Sequence, residues 1–275
     1  MFLKARPLLR KLREALYALL YPDLCIACGA SVACGGCEPC GASVSYEANV
    51  ACGEMPGLPK ASVVAPFCLN CINKIRRIDG PACACCGAPF VSEAATSHTP
   101  NQRCFDCVAY PPPFKKAITP FFYEPPLSLA ICQFKYEKRT SWADFFVGLL
   151  MDTGMNLDCD RVMAIPLHPD RLRLREFNQS LLLANVLAKR KSLPLSLDAL
   201  VRSHSTPPQV GLPKKKREEN IKGAFRVVRP QEVAGQRILL VDDVYTTGTT
   251  LKEGARALIA AGAREVTVVA IARMV

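Results

Sequence analysis

The chain has 275 residues, half of them apolar, and a formal net charge of +11. This length and apolar content suit one large or two modest domains with a packed core, and no stretch is apolar enough to span a bilayer, which excludes membrane insertion. After Cys107 the basic residues outnumber the acidic ones by nine, a balance that fits an anionic substrate or nucleic acid.

The first 21 residues predict a basic amphipathic helix over residues 3–20, with a leucine stripe along one side. Glu14 and Tyr17 interrupt the apolar run and no small-residue cleavage site follows, so we do not predict a secretory signal. The leucine stripe fits docking onto the next domain, which we favour, or contact with a membrane or DNA.

Cysteine dominates the next region, residues 22–108, because 13 of the 15 cysteines precede residue 108. Four CxxC pairs stand out, and the last two are 17 residues apart, as in a zinc ribbon. Four thiolates per ion leave no position for water, so the pattern predicts two structural Zn²⁺ sites in a double zinc ribbon and a protein of the reducing cytoplasm. The predicted ligands are Cys25, Cys28, Cys68, Cys71, Cys83, Cys86, Cys104 and Cys107.

Two questions stay open in this region. Either CxxC pairs that follow one another in the chain bind the same ion, or the pairs are combined in a crossed arrangement. A Gly/Ser/Ala-rich insert at about 30–62 holds either a third site or a solvated loop. Its cysteines are Cys34, Cys37, Cys40 and Cys52. Of the others, Cys85 is not expected to be a ligand, and Cys132 and Cys159 read as small core residues.

Three consecutive prolines between Tyr110 and Phe114 predict a stiff linker, and we place a domain boundary there, with residues 109–275 as the second domain. Beyond the linker, apolar runs alternate with helical periodicity, which predicts an α/β fold with a parallel sheet flanked by helices. The predicted strands are 117–123, 162–165, 197–201 and 238–241, and the predicted helices are 127–136, 142–155 and 180–190.

The most informative stretch is 237–262, where the apolar strand is followed by two acids, a hydroxyl- and glycine-rich turn and an amphipathic helix with Leu251, Ala255, Leu258 and Ile259 on one side. Unpaired N–H groups and the helix dipole favour an anion at such a helix start. The acids would repel a phosphate, so they serve vicinal hydroxyls or Mg²⁺ nearby.

A phosphate site beside a diol site resembles the 5-phosphoribosyl-1-diphosphate (PRPP) loop of phosphoribosyltransferases. The resemblance implies that Asp242 and Asp243 hold the ribose hydroxyls of Mg²⁺·PRPP. It also implies a type I phosphoribosyltransferase-like sheet. The residues expected to hold the 5-phosphate are Thr246, Thr247, Gly248, Thr249 and Thr250.

Two further segments fit that chemistry. Arginines alternate from Arg171 to Arg175, which suits a diphosphate clamp or a solvated helix start. The long polar segment 202–223 suits a water-excluding lid, a basic nucleic-acid contact through 214–217, or a plain solvated run. The lid residues are Gln209, Arg217 and Asn220.

The order of these motifs over nearly the whole chain resembles the ComF family of competence-associated proteins, which join a double zinc ribbon to a phosphoribosyltransferase domain. The motifs include Pro166-Leu167-His168, Phe177 to Ser180 and a terminal Ala272-Arg273. Glu176 departs from a common family glycine, and its carboxylate could pair with a neighbouring arginine. Thr246 stands where purine-salvage relatives carry Asp, which disfavours purine salvage.

The resemblance implies a role in DNA uptake or the use of imported DNA, and three hypotheses follow. The chain is a phosphoribosyltransferase in which Arg171 and Arg175 stabilise the leaving diphosphate and Asp242 and Asp243 orient the ribose. Alternatively, it senses PRPP or a nucleotide and binds single-stranded DNA or a partner competence ATPase. In the third, it is a scaffold with a degenerate site.

Overall fold

A computed structural model describes residues 24–30, 32, 66–90, 102–203 and 221–275. Several predictions therefore lie outside the described residues. These are the helix at 3–20, the third-site cysteines Cys34, Cys37, Cys40 and Cys52, and the lid residues Gln209, Arg217 and Asn220.

A six-stranded sheet forms the centre of the described structure, in the order β1-β8-β7-β3-β4, with β2 also beside β8. Every pairing in it is parallel, which confirms the predicted α/β class. Its strands are β1 Lys116–Ile118, β2 Phe121–Phe122, β3 Arg161–Ala164, β4 Leu195–Ser196, β7 Arg237–Tyr245 and β8 Glu265–Arg273. A separate antiparallel pair joins β5 Leu200–Arg202 to β6 Phe225–Val227.

Seven α-helices lie among the described residues. They are α1 Leu69–Ile72, α2 Phe105–Ala109, α3 Leu127–Tyr136, α4 Ala143–Met151, α5 Pro169–Arg175, α6 Gln179–Lys191 and α7 Thr249–Ala260. Helix α3 has the predicted bounds, whereas α4 ends four residues before the predicted Met155, and Gly154 has a left-handed φ of 66°. On α7, Leu251, Ala255 and Leu258 are buried, but Ile259 is 41% exposed.

Strand β7 extends past the predicted end at Val241. Asp242 pairs with Ala270 and Tyr245 pairs with Arg273 of β8, so both acids belong to the strand. The neighbouring strand supplies hydrogen-bond partners that the local apolar pattern does not reveal. The acids are consequently held by the sheet and not by a loop.

The strands predicted at 117–123 and 197–201 are each interrupted. Pro120 has no N–H to donate, and it separates β1 from β2 along the same edge of β8. Leu197 is 69% exposed and lies between β4 and β5, which belong to different sheets. Apolar character alone did not locate these breaks.

The described cysteine-rich segments pack directly onto the sheet and its helices. Phe67, beside the first cysteine group, meets Phe145 of α4 edge-on with ring centroids 5.9 Å apart. Ala117 N–H of β1 donates to Cys85 C=O at 2.7 Å on the other side. No helix among the described residues is both long and apolar enough to cross a membrane.

Candidate functional site

The eight cysteines of the CxxC pairs form two groups of four. One group combines Cys25 and Cys28 with Cys68 and Cys71, and the other consists of Cys83, Cys86, Cys104 and Cys107. The candidate ligand atoms within each group all lie within 4.8 Å of one another, which suits a tetrahedral metal ion. Of the two arrangements left open by the sequence, the structure therefore has the sequential one.

The two groups are built in the same way. Gly29 and Gly87 follow the second cysteine of a knuckle with φ of 74° and 71°, and their N–H groups donate to Cys25 C=O and Cys83 C=O at 2.8 Å. Each remaining pair lies on a short helix, with Cys68 or Cys104 as its N-cap residue. Left-handed φ values favour glycine, which explains its place in both knuckles.

The environment of Cys83 fits a metal-bound thiolate. Burial opposes its ionisation, but the backbone N–H groups of Cys104 and Cys86 donate to its Sγ at 3.3 and 3.5 Å and lower the pKa of Cys83 to about 7. Burial raises the pKa of the Cys86 thiol to about 11, so a bound cation would have to displace that proton. Cys85 is buried beside Phe114 C=O and lies outside the group of four.

The turn after β7 brings the backbone close to an aromatic ring. Gly248 is the N-cap residue of α7 and has a φ of 71°. A Cβ atom placed there would lie 2.3 Å from Cζ and Oη of Tyr245. Thr247 Oγ1 accepts from Thr249 N–H at 3.4 Å and contacts Thr249 Oγ1 at 2.7 Å, while Thr246 is exposed. These contacts shape the turn, which ends at the N-terminus of α7.

Replacing Gly248 by alanine is expected to destabilise the protein by about 1–3 kcal/mol, because strain at positive φ adds to the contact with Tyr245. Gly235→Ala is a matched control, since Gly235 has a φ of 72° but a Cβ atom added to it would meet nothing within 4 Å. Urea denaturation should show a smaller loss for the control, and equal losses would contradict the contact with Tyr245.

The two acids of β7 have different partners. Asp243 is 8% exposed, and its Oδ1 lies 2.9 Å from Lys135 Nζ of α3. Asp242 Oδ1 accepts from Ser180 Oγ at 2.8 Å and from Asp243 N–H at 2.9 Å. Burial opposes the charge of Lys135, but the Asp243 carboxylate raises its pKa above the usual value. The two acids therefore lie side by side, and the charge of Asp243 is balanced by that of Lys135.

Burial and the negative charge of Asp243 raise the pKa of Asp242 from 3.8 to about 7. A carboxyl with a raised folded-state pKa stabilises the fold at low pH, and this contribution is lost as the pH rises from about 4 to about 7. As the pH rises over that range, we expect the free energy of unfolding of the wild type to fall relative to that of Asp242→Asn. Urea titrations across the range test this, with the exposed Asp198→Asn as control. Parallel curves for the wild type and Asp242→Asn would contradict the pKa shift.

The arginines of α5 divide into two kinds. Arg173 is exposed and pairs with Asp170 at 3.1 Å, whereas Arg171 and Arg175 are half-buried. Arg175 donates to Gln179 Oε1 and to Tyr136 Oη, both at 3.3 Å. Burial and the charge of Arg175 lower the pKa of Arg171, as expected for two close cations. The half-buried Arg171 and Arg175 therefore suit an anion better than the exposed Arg173 does.

Glu176 occupies the left-handed C-cap position of α5 with a φ of 67°. This conformation accounts for a glycine preference at the position. Its carboxylate lies 2.7 Å from Lys138 Nζ, so a lysine of the α3–α4 connection is one partner of this carboxylate. Cys132, expected in the core, is also exposed, and its Sγ lies 3.3 Å from Tyr123 Oη.

Sequence reasoning placed Gln179 in a family motif without giving it a role, and it missed two other residues of this region. Gln179 is buried, and its Nε2 donates to Lys135 C=O at 3.1 Å, which links α6 to the helix that carries the lysine. Arg202, at the end of β5, is 7% exposed, and burial together with the charge of Arg171 lowers its pKa to about 10. Lys135 is the second of the missed residues, and no local motif marks it or Arg202 because their partners are distant in sequence.

Comparison with known proteins assigns the family. Residues 178–274 match the family model of the phosphoribosyl transferase domain. The DNA utilization protein YhgH of Escherichia coli is 36% identical over 215 residues, covering 75% of this chain and 90% of that protein. This chain belongs to the ComF family.

Two other relatives agree with the ComF assignment. Competence protein F of Haemophilus influenzae is 36% identical over 115 residues, which cover 42% of this chain and 50% of that protein. Competence protein ComFC of Bacillus subtilis is 26% identical over 204 residues, which cover 71% and 78%. The phosphoribosyltransferase-like sheet and the preceding cysteine-rich region predicted from the resemblance are confirmed.

Proposed function

We propose that this ComF-family chain binds Mg²⁺·PRPP in the cytoplasm and acts as a phosphoribosyltransferase-type protein in DNA uptake or the use of imported DNA. The observation that carries the proposal is the junction of β7 and α7. There a pair of acids lies within a few residues of a glycine turn that opens a helix. The names of the relatives, which refer to DNA utilization and competence, support the biological role.

In this proposal each part of PRPP has its own partners. The ribose hydroxyls meet Asp242 and Asp243, and the 5-phosphate meets the helix N-terminus, where N–H groups and the dipole favour an anion. Arg171 and Arg175 lie on α5, which follows β3 at the same edge of the sheet, and they face the diphosphate. The two four-cysteine groups hold structural Zn²⁺, which suits sulfur-only ligand sets.

The reaction would replace diphosphate at C1 of the ribose by an acceptor. A bond forms between the acceptor and C1, and the bond between C1 and the diphosphate oxygen breaks, with the electron pair leaving on diphosphate. The arginines stabilise the charge that develops on this leaving group. The lid at Gln209 to Asn220 would exclude water, so that the acceptor and not water reaches C1.

Diphosphate release from PRPP with Mg²⁺ and a panel of nucleobases tests the catalytic proposal. We expect release with at least one acceptor, its loss in Asp243→Asn, and its retention in Glu137→Gln, which changes an exposed carboxylate at the end of α3. Tight PRPP binding without release would support a sensor instead. If the chain neither binds PRPP nor releases diphosphate from it, the PRPP proposal is contradicted.

One observation favours single-stranded DNA as a second ligand. A groove of about 1140 Å³ lies between the proline linker and α7. Tyr110, Lys222, Lys252 and Arg256 line it together with two acids, Asp106 and Glu253, of which Glu253 pairs with Arg256, and Tyr110 is 78% exposed. The two lysines and the exposed aromatic ring supply the cations and the stacking surface that single-stranded DNA requires. A competence ATPase remains the proposed protein partner.

Fluorescence anisotropy with an oligothymidine tests the groove. Affinity is expected to fall with rising salt, to drop about tenfold in Tyr110→Ala, and to lose part of its salt dependence in Lys252→Glu. Lys191→Glu, at the exposed end of α6, is the matched control. Equal losses in Lys252→Glu and Lys191→Glu would place the DNA elsewhere.

A further inference from the structure

The terminal Ala272-Arg273 motif has no place in the ligand site described so far. Arg273 is the last residue of β8 and is only 6% exposed, which is unusual for an arginine. A buried guanidinium is costly unless its charge and its N–H groups are matched by partners. The contacts of Arg273 therefore indicate why the chain keeps a cation in this position.

On one side Arg273 contacts the second four-cysteine group. Its Nη1 donates to Cys86 C=O at 2.6 Å. A Cβ atom on the next residue, Gly87, would lie 3.7 Å from the same Nη1 and 3.0 Å from Ala117 C=O, so the knuckle backbone is packed closely against the sheet. A divalent ion bound by four thiolates retains two negative charges, and a neighbouring buried cation offsets them.

On the other side Arg273 contacts the end of β7. Its guanidinium carbon lies 4.9 Å from the centroid of the Tyr245 ring, a cation–π contact. Tyr245 is 4% exposed, and its ring fills the space beside Gly248, where a Cβ atom would lie 2.3 Å from Cζ. The backbone adds a second connection, because Met274 N–H donates to Tyr245 C=O at 2.9 Å.

These contacts form one path from the metal knuckle to the turn at 246–250. It runs from Cys86 C=O to the Arg273 guanidinium, then to the Tyr245 ring, and then to the backbone of Gly248. The first four-cysteine group packs elsewhere, since Phe67 beside it meets Phe145 of α4. The path is specific to the second group among the contacts that the structure describes.

We propose that Arg273 is a positioning residue that couples the second metal site to the conformation of the 246–250 turn. An occupied knuckle fixes Cys86 C=O and with it the guanidinium, which holds the Tyr245 ring against Gly248. The ligand consequence rests on the proposed PRPP function, because the turn would hold the 5-phosphate. The structural consequence, an ordered turn, does not depend on that function.

The test compares Arg273→Gln with Arg264→Gln, which alters an exposed arginine at the other end of the same strand region. Two measurements need no ligand: the zinc content of each purified variant and the hydrogen exchange of amides at 246–252. We expect two Zn²⁺ per chain in both variants and about tenfold faster exchange in Arg273→Gln alone. Tyr245→Leu breaks the path beyond Arg273 and should give the same faster exchange with two Zn²⁺ bound.

Ligand binding separates positioning from general loss of structure. Ribose 5-phosphate engages the turn but not the diphosphate arginines, so its dissociation constant should rise about tenfold in Arg273→Gln. Inorganic diphosphate should bind as in the wild type. Unchanged exchange at 246–252 in Arg273→Gln and Tyr245→Leu would overturn the coupling. Failure of the wild-type chain to bind PRPP or ribose 5-phosphate would overturn the PRPP proposal and leave the exchange test intact.

Discussion

Asp243→Asn is expected to weaken Mg²⁺·PRPP binding by about 10- to 100-fold, because hydrogen bonds from ribose hydroxyls to a carboxylate are stronger than those to an amide. The same substitution leaves Lys135 without its partner 2.9 Å away, in a place where the lysine side chain is only 19% exposed. An uncompensated charge there should lower the free energy of unfolding by about 3 kcal/mol. Calorimetric titration and urea denaturation measure the two effects.

A second substitution separates the two effects. Replacing Lys135 by methionine in the Asp243→Asn background removes the unpaired cation, and most of the stability should return. Affinity for Mg²⁺·PRPP should not return, because the carboxylate is still missing. Recovery of affinity in the double variant would mean that Asp243 acts only through folding and does not touch the ribose.

Removal of zinc is expected to unfold the described part of the cysteine-rich region, because its short helices and knuckles contain little regular structure of their own. Apparent binding energies of structural zinc are on the order of 10 kcal/mol, which exceeds what a small core supplies. Element analysis should find two Zn²⁺ per chain in the wild type. Circular dichroism after chelation should show the loss of structure.

Single substitutions assign each ion. Cys25→Ser and Cys83→Ser should each lose one Zn²⁺, whereas Cys85→Ser should keep both, since Cys85 lies inside a knuckle but outside the group of four. A wild-type content of zero would contradict the metal assignment. A content of three would place a further site among Cys34, Cys37, Cys40 and Cys52.

Local chemistry explains what could be predicted from the sequence. The CxxC pairs, the glycines after them and the acids before the threonine-rich turn are close in the chain, so the local sequence is enough to mark them as candidate site residues. The parallel sheet could be predicted because its central strands are continuous apolar runs. The helix at 127–136 was also correct in both bounds, since a full apolar stripe marks it.

The features that the sequence did not reveal depend on distant partners. Lys135 meets Asp243, and Arg273 meets Cys86 C=O across 187 positions. Cys132 looked like a small core residue, but it lies on the exposed side of α3. Strand ends were misplaced where a neighbouring strand or Pro120 decided the pairing. Tertiary contacts of this kind leave no periodicity in the local sequence.

The most direct measurement is a crystal structure of the full chain soaked with PRPP and Mg²⁺. We expect the 5-phosphate at the N-terminus of α7, the ribose hydroxyls on Asp242 and Asp243, and the diphosphate towards Arg171 and Arg175. Electron density for PRPP at any other place, with Asp243 still bound to Lys135 and Asp242 to Ser180, would contradict the proposed PRPP site.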